Sequence, residues 1–172
     1  MWRSRILDFP DALDLRPTPD RVRETLFNWL GQDLSAKRCL DLYAGTGVLS
    51  LEAASRGAAL AVAVDHSRAA IDAIAAAKAM LSADALELHV ADARAFIGRE
   101  SRLFDVVFVD PPFRDDPWDW LLPASAARLA PGGYLYAEAG RAIEPPPGLT
   151  TLRSDTAGQV HYHLFVRSTL ES

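Results

Sequence analysis

Beyond residue 38 the chain alternates short continuous apolar runs with longer stretches in which apolar residues recur at three- and four-residue intervals. The runs predict strands at residues 39–43, 60–65, 86–90, 104–110 and 133–138. The periodic stretches predict helices at 48–56, 67–81, 92–98 and 118–130, with Gly57 ending the first and Pro123 interrupting the last. Such alternation demands parallel strands joined by right-handed crossovers, and so an α/β sheet covered on both faces. The tail breaks this rhythm. Pro145-Pro146-Pro147-Gly148 stands where another helix would come, and residues 149–153 and 159–167 flank a turn near Thr156-Ala157-Gly158, which reads as an antiparallel hairpin. In its second arm Val160, Tyr162, Leu164 and Val166 share one face, and His161, His163 and Phe165 share the other. The histidine face is expected to be exposed. Seven strands are expected, mostly parallel, with the last antiparallel.

Ahead of the sheet, residues 19–30 read as a helix. Thr18 suits its N-cap, Pro19 its first position, and Asp20 the positive end of its dipole. Val22, Leu26, Trp29 and Leu30 fall on one face, leaving Arg21, Arg23, Glu24 and Asn28 to point elsewhere. Met80 is expected to pack within its own helix. Nothing suggests a repeat or a second domain, so residues 1–37 are expected to form a substrate-side extension on a core of 38–172.

Composition narrows the class. With 172 residues the chain can bury about two-thirds of the surface its unfolded form would expose, so one domain needs no staples. Its one cysteine, Cys39, lies within an apolar run and reads as strand core in a reducing compartment. No stretch reaches the roughly 18 apolar residues of a membrane span and no signal-peptide core follows Met1, so a cytoplasmic location is expected. The net charge of −5 argues against nucleic-acid binding over the whole surface. Residues 1–38, however, carry seven basic groups against six acidic ones, which leaves −6 for the remainder. Any nucleic-acid footprint should include that segment. His66, His89, His161 and His163 form no metal spacing, and no metal is expected.

The chemistry concentrates at strand ends. Asp110-Pro111-Pro112-Phe113 closes the apolar run 104–109, and two prolines cannot donate to a sheet ladder, so the chain must leave the sheet there. A carboxylate and a flat ring then face the crevice beyond the carboxyl ends of the strands, where open α/β sheets bind ligands. Arg114, Trp118 and Trp120 follow, each readable as solvated or core residues or as part of a pocket.

Between the first strand and its helix lies Asp41-Leu42-Tyr43-Ala44-Gly45-Thr46-Gly47. Gly45 and Gly47 permit a sharp turn and a close backbone approach over a helix N-terminus. Ser50 occupies the third position of the dinucleotide fingerprint, where Gly or Ala is expected, and speaks against a nicotinamide site. Asp65 and Asp92 end the second and third runs. Each of the three aspartates alone reads as a loop or helix cap. Together, at successive strand ends, they suit the amino-acid, ribose and adenine parts of S-adenosylmethionine. The candidate cofactor residues are therefore Asp41, Tyr43, Gly45, Thr46, Gly47, Asp65, His66, Asp92 and Ala93.

Asp110-Pro111-Pro112-Phe113 resembles the Asn/Asp-Pro-Pro-aromatic pattern of S-adenosylmethionine enzymes that methylate planar nitrogens. Such a nitrogen is conjugated and poorly nucleophilic. Asp110 and the Pro111 carbonyl can accept its two hydrogens, Pro112 stiffens the turn, and Phe113 can stack on the ring, a contact worth about 1–3 kcal/mol per base. Residues 15–30, with Arg16-Pro17-Thr18 and Asp20-Arg21-Val22-Arg23-Glu24, join Asp41 to Gly47, Ser55-Arg56-Gly57-Ala58, the tetrapeptide and Ala157-Gly158-Gln159-Val160 in resembling the bacterial RsmD family. The resemblance covers nearly the whole chain. It implies a Rossmann-like class I methyltransferase fold and methylation of a guanine N2 in 16S ribosomal RNA. It further implies that Arg16, Thr18, Arg21 and Arg23 meet RNA near the mouth of the site, and that the partner is 16S ribosomal RNA or the assembling small subunit; a monomer is expected. The alternatives are methylation of an adenine N6 or another exocyclic amine, and a non-catalytic ribosome-assembly module.

Overall fold

The structure, a computed structural model, describes residues 20–169. Its elements in chain order are α1 (Asp20–Leu30), β1 (Arg38–Asp41), α2 (Val48–Ser55), β2 (Leu60–Asp65), α3 (Arg68–Leu81), β3 (Leu86–Val90) and α4 (Ala93–Arg99). There follow β4 (Phe104–Val109), a 3₁₀ turn (Phe113–Asp115), α5 (Trp118–Ala126), β5 (Leu129–Ala139), β6 (Leu149–Ala157) and β7 (Val160–Arg167). The seven strands form one sheet in the order β3-β2-β1-β4-β5-β7-β6. Strands β1 to β5 pair in parallel, and β7 runs antiparallel to both β5 and β6.

Two apolar layers cover the sheet. One face packs α1, α2 and α3 through Val22, Leu26, Phe27, Leu51 and Ile74 against Phe108, Tyr136 and Leu164. The other packs α4 and α5 through Phe96, Ile97, Trp118 and Leu121 against Val64, Val107, Leu135 and Phe165. Strands β1 and β4 are buried on both faces, which is why their sequences read as continuous apolar runs. The sheet reverses direction of growth between β1 and β4, and the crevice above that point is where the strand ends carrying Asp41 and Asp110 lie side by side.

Several expectations change. On α1 the buried residues are Val22, Leu26 and Phe27, while Trp29 and Leu30 are half-buried. Trp29 stacks on Tyr162 instead, with ring centroids 5.3 Å apart. The last helix stops at Ala126, and β5 begins at Leu129, earlier than the apolar run suggested. Met80 faces solvent at 70% exposure, because α3 buries only Ala70, Ile71, Ile74 and Leu81. His163 is buried, contrary to the expected exposed histidine face. The reason is strand order: the last strand in sequence inserts between β5 and β6, so the edge falls to β6, whose residues 150–156 are all exposed. Thr18 and Pro19, the expected start of α1, lie outside the described residues. No helix among the described residues is long and apolar enough to cross a membrane.

Candidate active site

Beyond β1 the chain makes a tight loop held by backbone hydrogen bonds: Leu42 N–H to Phe108 carbonyl at 3.2 Å, Ala44 N–H to Val64 carbonyl at 2.9 Å, and Gly47 N–H to Ala44 carbonyl at 2.7 Å. Gly45 and Gly47 adopt φ of 55° and 81°, the left-handed region that glycine enters without steric cost. Their surroundings differ. A Cβ at Gly47 would stand 2.7 Å from Ile74 Cγ1, so this glycine admits α3, whereas a Cβ at Gly45 would meet only the Tyr43 carbonyl, 3.9 Å away. Gly45 is the position open to a ligand.

The three strand-end aspartates are each secured differently. Asp65 accepts the Gly45 N–H on Oδ2 and the Ser67 N–H on Oδ1, both at 2.9 Å, and thereby ties β2 to the glycine loop and to α3. Ser67, not Asp65, is the N-cap of α3. Asp92 caps α4 by accepting the Ala95 N–H at 3.0 Å, yet it also lines the crevice. Capping and ligand binding therefore do not compete here, since each carboxylate oxygen has a second lone pair. Asp41 is sealed under the loop. Its Oδ2 accepts the Ser50 hydroxyl at 3.0 Å, and its Oδ1 has no hydrogen-bond partner. Burial pushes its carboxyl up to about 7, helped by the charges of Asp110 and Asp65 and opposed by the Ser50 hydroxyl. Ser50, noted in the sequence only as a departure from a fingerprint, is thus the residue that holds Asp41.

Asp65 and Asp92, but not Asp41, Gly45 or Gly47, line a cleft of about 600 Å³, with Leu42, Tyr43, His66 and Ala93 beside them and Pro112, Pro117 and Trp120 opposite. That volume is ordinary for a small-molecule site. Tyr43 is half-buried, and burial with the nearby charges of Asp92 and Asp115 holds its phenol neutral by raising its pKa. His66 is exposed, 3.6 Å from Asp65. Thr46 is half-buried and does not line the cleft. Asp115, Asp119 and Trp120, with Arg94 set 5.2 Å from the Trp120 ring centre, complete the far wall. The sequence did not point to Arg94 or Asp119, which the packing of α4 against α5 brings there, nor to Asp115, which the 3₁₀ turn after Pro112 turns into the wall.

Asp110-Pro111-Pro112-Phe113 leaves β4 beside this cleft, and of the four only Pro112 lines it. Pro111 is buried, Asp110 and Phe113 are half-buried, and Pro112 lines the cleft while its carbonyl accepts the Asp115 N–H at 3.0 Å. Burial and the charges of Glu138 and Asp110 raise the Tyr136 phenol well above its ordinary value. Trp118 is core and Arg114 is exposed. On the same side, Phe27 of α1 packs on Phe108, two residues before Asp110, with centroids 6.2 Å apart. Arg21 donates to the Thr156 carbonyl at 3.4 Å, and Arg23 pairs with Asp20 at 3.2 Å. Arg16 and Thr18 lie outside the described residues.

The family model described as "Conserved hypothetical protein 95" matches residues 1–166. Ribosomal RNA small subunit methyltransferase D of Escherichia coli is 40% identical over 96% of this chain and 86% of its own length. The chain belongs to this family, named RsmD above. The Haemophilus influenzae protein of the same name is 31% identical over 96% of this chain and 90% of its own. A solved Escherichia coli protein, described as a candidate methyltransferase, superimposes with a TM-score of 0.83 at 37% identity, covering 91% of this chain and 89% of that one. The class I methyltransferase fold expected from the RsmD resemblance is therefore the fold observed.

Proposed function

We propose that this RsmD protein is an S-adenosylmethionine-dependent methyltransferase acting on the exocyclic N2 of a guanine in 16S ribosomal RNA, free or in the assembling small subunit. One observation carries the reading: Pro112 of Asp110-Pro111-Pro112-Phe113 lines the same cleft as Tyr43, Asp65 and Asp92. The donor set fits a cationic nucleoside ligand. Asp41, its carboxyl pushed up to about 7 by burial, has an oxygen that no protein group satisfies, and a cation above it would favour its charged form. Asp65 and Asp92 keep free lone pairs at the cleft for hydroxyl and amino donors, and Tyr43 and Trp120 provide apolar walls. A pyrophosphate would meet this ring of carboxylates unfavourably.

S-adenosylmethionine, when bound, supplies an electrophilic methyl group. The protein's task is to present the amine. Asp110 and the Pro111 carbonyl accept the two N–H groups of the flat nitrogen, drawing electron density back onto it, and Phe113 holds the base by stacking. Positioning and charge, rather than a covalent intermediate, then account for rate. Asp110 would also receive the proton that the methylated nitrogen must lose. Arg16, Thr18, Arg21 and Arg23 would hold the RNA backbone near the mouth, from the most basic part of the chain.

Mass spectrometry of small-subunit RNA from cells lacking the gene tests the reading. One N2-methylguanine should disappear and return on complementation with the parent sequence but not with Asp110→Ala. Unchanged N2-methylguanine refutes it, and loss of N6-methyladenine would reassign the target.

A further inference from the structure

We propose that Gly140 is a positioning residue for the target base, because the absence of a side chain there lets the Phe113 ring lie back against the end of β5. The proposal rests on the reading of Phe113 as the stacking ring. A Cβ at Gly140 would stand 3.1 Å from Cγ, 3.2 Å from Cδ2 and 3.3 Å from Cβ of Phe113, all inside the roughly 3.5–4.0 Å of favourable carbon contact. Gly140 does not have a positive φ, so backbone conformation does not call for glycine. Space does. With Pro111 and Pro112 fixing the base of the turn, any added atom must push the ring itself.

The wall behind the ring is held rigidly. One imidazole spans it: His163 Nδ1 donates to the Ala137 carbonyl at 3.3 Å, and His163 Nε2 accepts the Ile143 N–H at 3.3 Å. Both contacts together require the neutral ring with its proton on Nδ1. His163 is buried and stacks on Phe165 with centroids 5.6 Å apart. Arg141 next joins this wall to the loop carrying Phe113, donating from Nε and Nη2 to Asp116 at 3.1 and 3.5 Å. Both partners of that pair are exposed, so its energy is small, and the firmer hold is the buried His163 contact pair. The segment 137–143 is therefore a bracket that sets how far Phe113 stands from the cleft. Misplacement of a stacked base by a fraction of an ångström is expected to cost rate steeply.

The test uses the full-length enzyme, saturating S-adenosylmethionine, and small subunits purified from cells lacking the gene. Gly140→Ala should lower kcat/KM for the RNA about tenfold while leaving the calorimetric Kd for S-adenosylmethionine unchanged. In a Phe113→Ala background the same substitution should change kcat/KM less than about twofold, because the two closest contacts, with Cγ and Cδ2, are gone. Equal losses in the two backgrounds, or parent-like activity of Gly140→Ala beside an impaired Phe113→Ala, overturn the proposal alone. A Phe113→Ala enzyme with the parent's kcat/KM overturns the stacking reading, and the proposal with it. Should Gly140→Ala prove too unstable to assay, recovery of stable protein in the double variant supports the overlap, and a double variant as unstable as the single refutes it.

Discussion

The two halves of the proposed site, one for cofactor and one for target, are built by different means. On the cofactor side, Asp65 and Asp92 accept backbone N–H groups two and three residues ahead, and Asp65 also accepts the Gly45 N–H twenty residues earlier, at the neighbouring strand end. On the target side, Phe113 leans on Gly140, Arg141 reaches Asp116, and His163 pins the chain between them. Hydrogen bonds near a chain reversal recur wherever the turn recurs, so they survive as motifs. Packing between distant segments leaves no such trace. The cofactor half should therefore respond to substitution through affinity and stability, and the target half through turnover.

The largest effect expected from that contrast is at Asp110. Asp110→Ala should lower kcat by about 10²–10³-fold, the loss typical of a group that stabilises only the transition state, with cofactor Kd changed less than about threefold. Equal loss of binding and turnover would place Asp110 on the cofactor side. Asp65→Ala should do the opposite. By orphaning the Gly45 and Ser67 N–H groups it should weaken S-adenosylmethionine at least about tenfold and cost about 1–3 kcal/mol of stability, measured by calorimetry and denaturant titration. Gly47→Ala, which forces a Cβ onto Ile74 at positive φ, should destabilise the fold by about 1–3 kcal/mol. A loss in the Gly47→Ala/Ile74→Ala double variant smaller than the sum of the two single losses would confirm that Ile74 of α3 is the obstacle.

The pH dependences separate the halves most finely. Burial raises the Asp41 carboxyl from its unfolded range near 4 to about 7, so the folded state binds more protons than the unfolded one between those values. Its contribution to stability is complete below about pH 4 and declines as pH rises to about 7. Asp41→Asn should accordingly raise the melting temperature of the cofactor-free protein at pH 8 but not at pH 4. His163 shows the reverse sign. Burial lowers its pKa, so the unfolded chain binds the extra proton. Stability from His163 is complete above about pH 6.5 and falls as pH drops below it. The smallest effect anticipated is loss of that slope, at most about 1.4 kcal/mol per pH unit, in His163→Gln, read from melting curves between pH 5 and pH 7. A retained slope would assign it to another group.

The sequence by itself determined the alternation of strands and helices, the two glycines, the three strand-end aspartates and the tetrapeptide, because each depends on local periodicity, a positive φ or a proline. The resemblance to RsmD proteins added the substrate. It could not show that Ser50 secures Asp41, since a hydroxyl nine residues along reads equally well as an ordinary helix residue. Nor could it show that His163 is buried: the alternation of side chains in 160–167 is real, but which face is covered depends on β7 lying inside β6, and strand order is not a local property. Gly140 was silent for the same reason. Its missing side chain has meaning only against a ring 27 residues earlier, and that meeting is made by the pairing of β4 with β5 and by the tertiary packing above them.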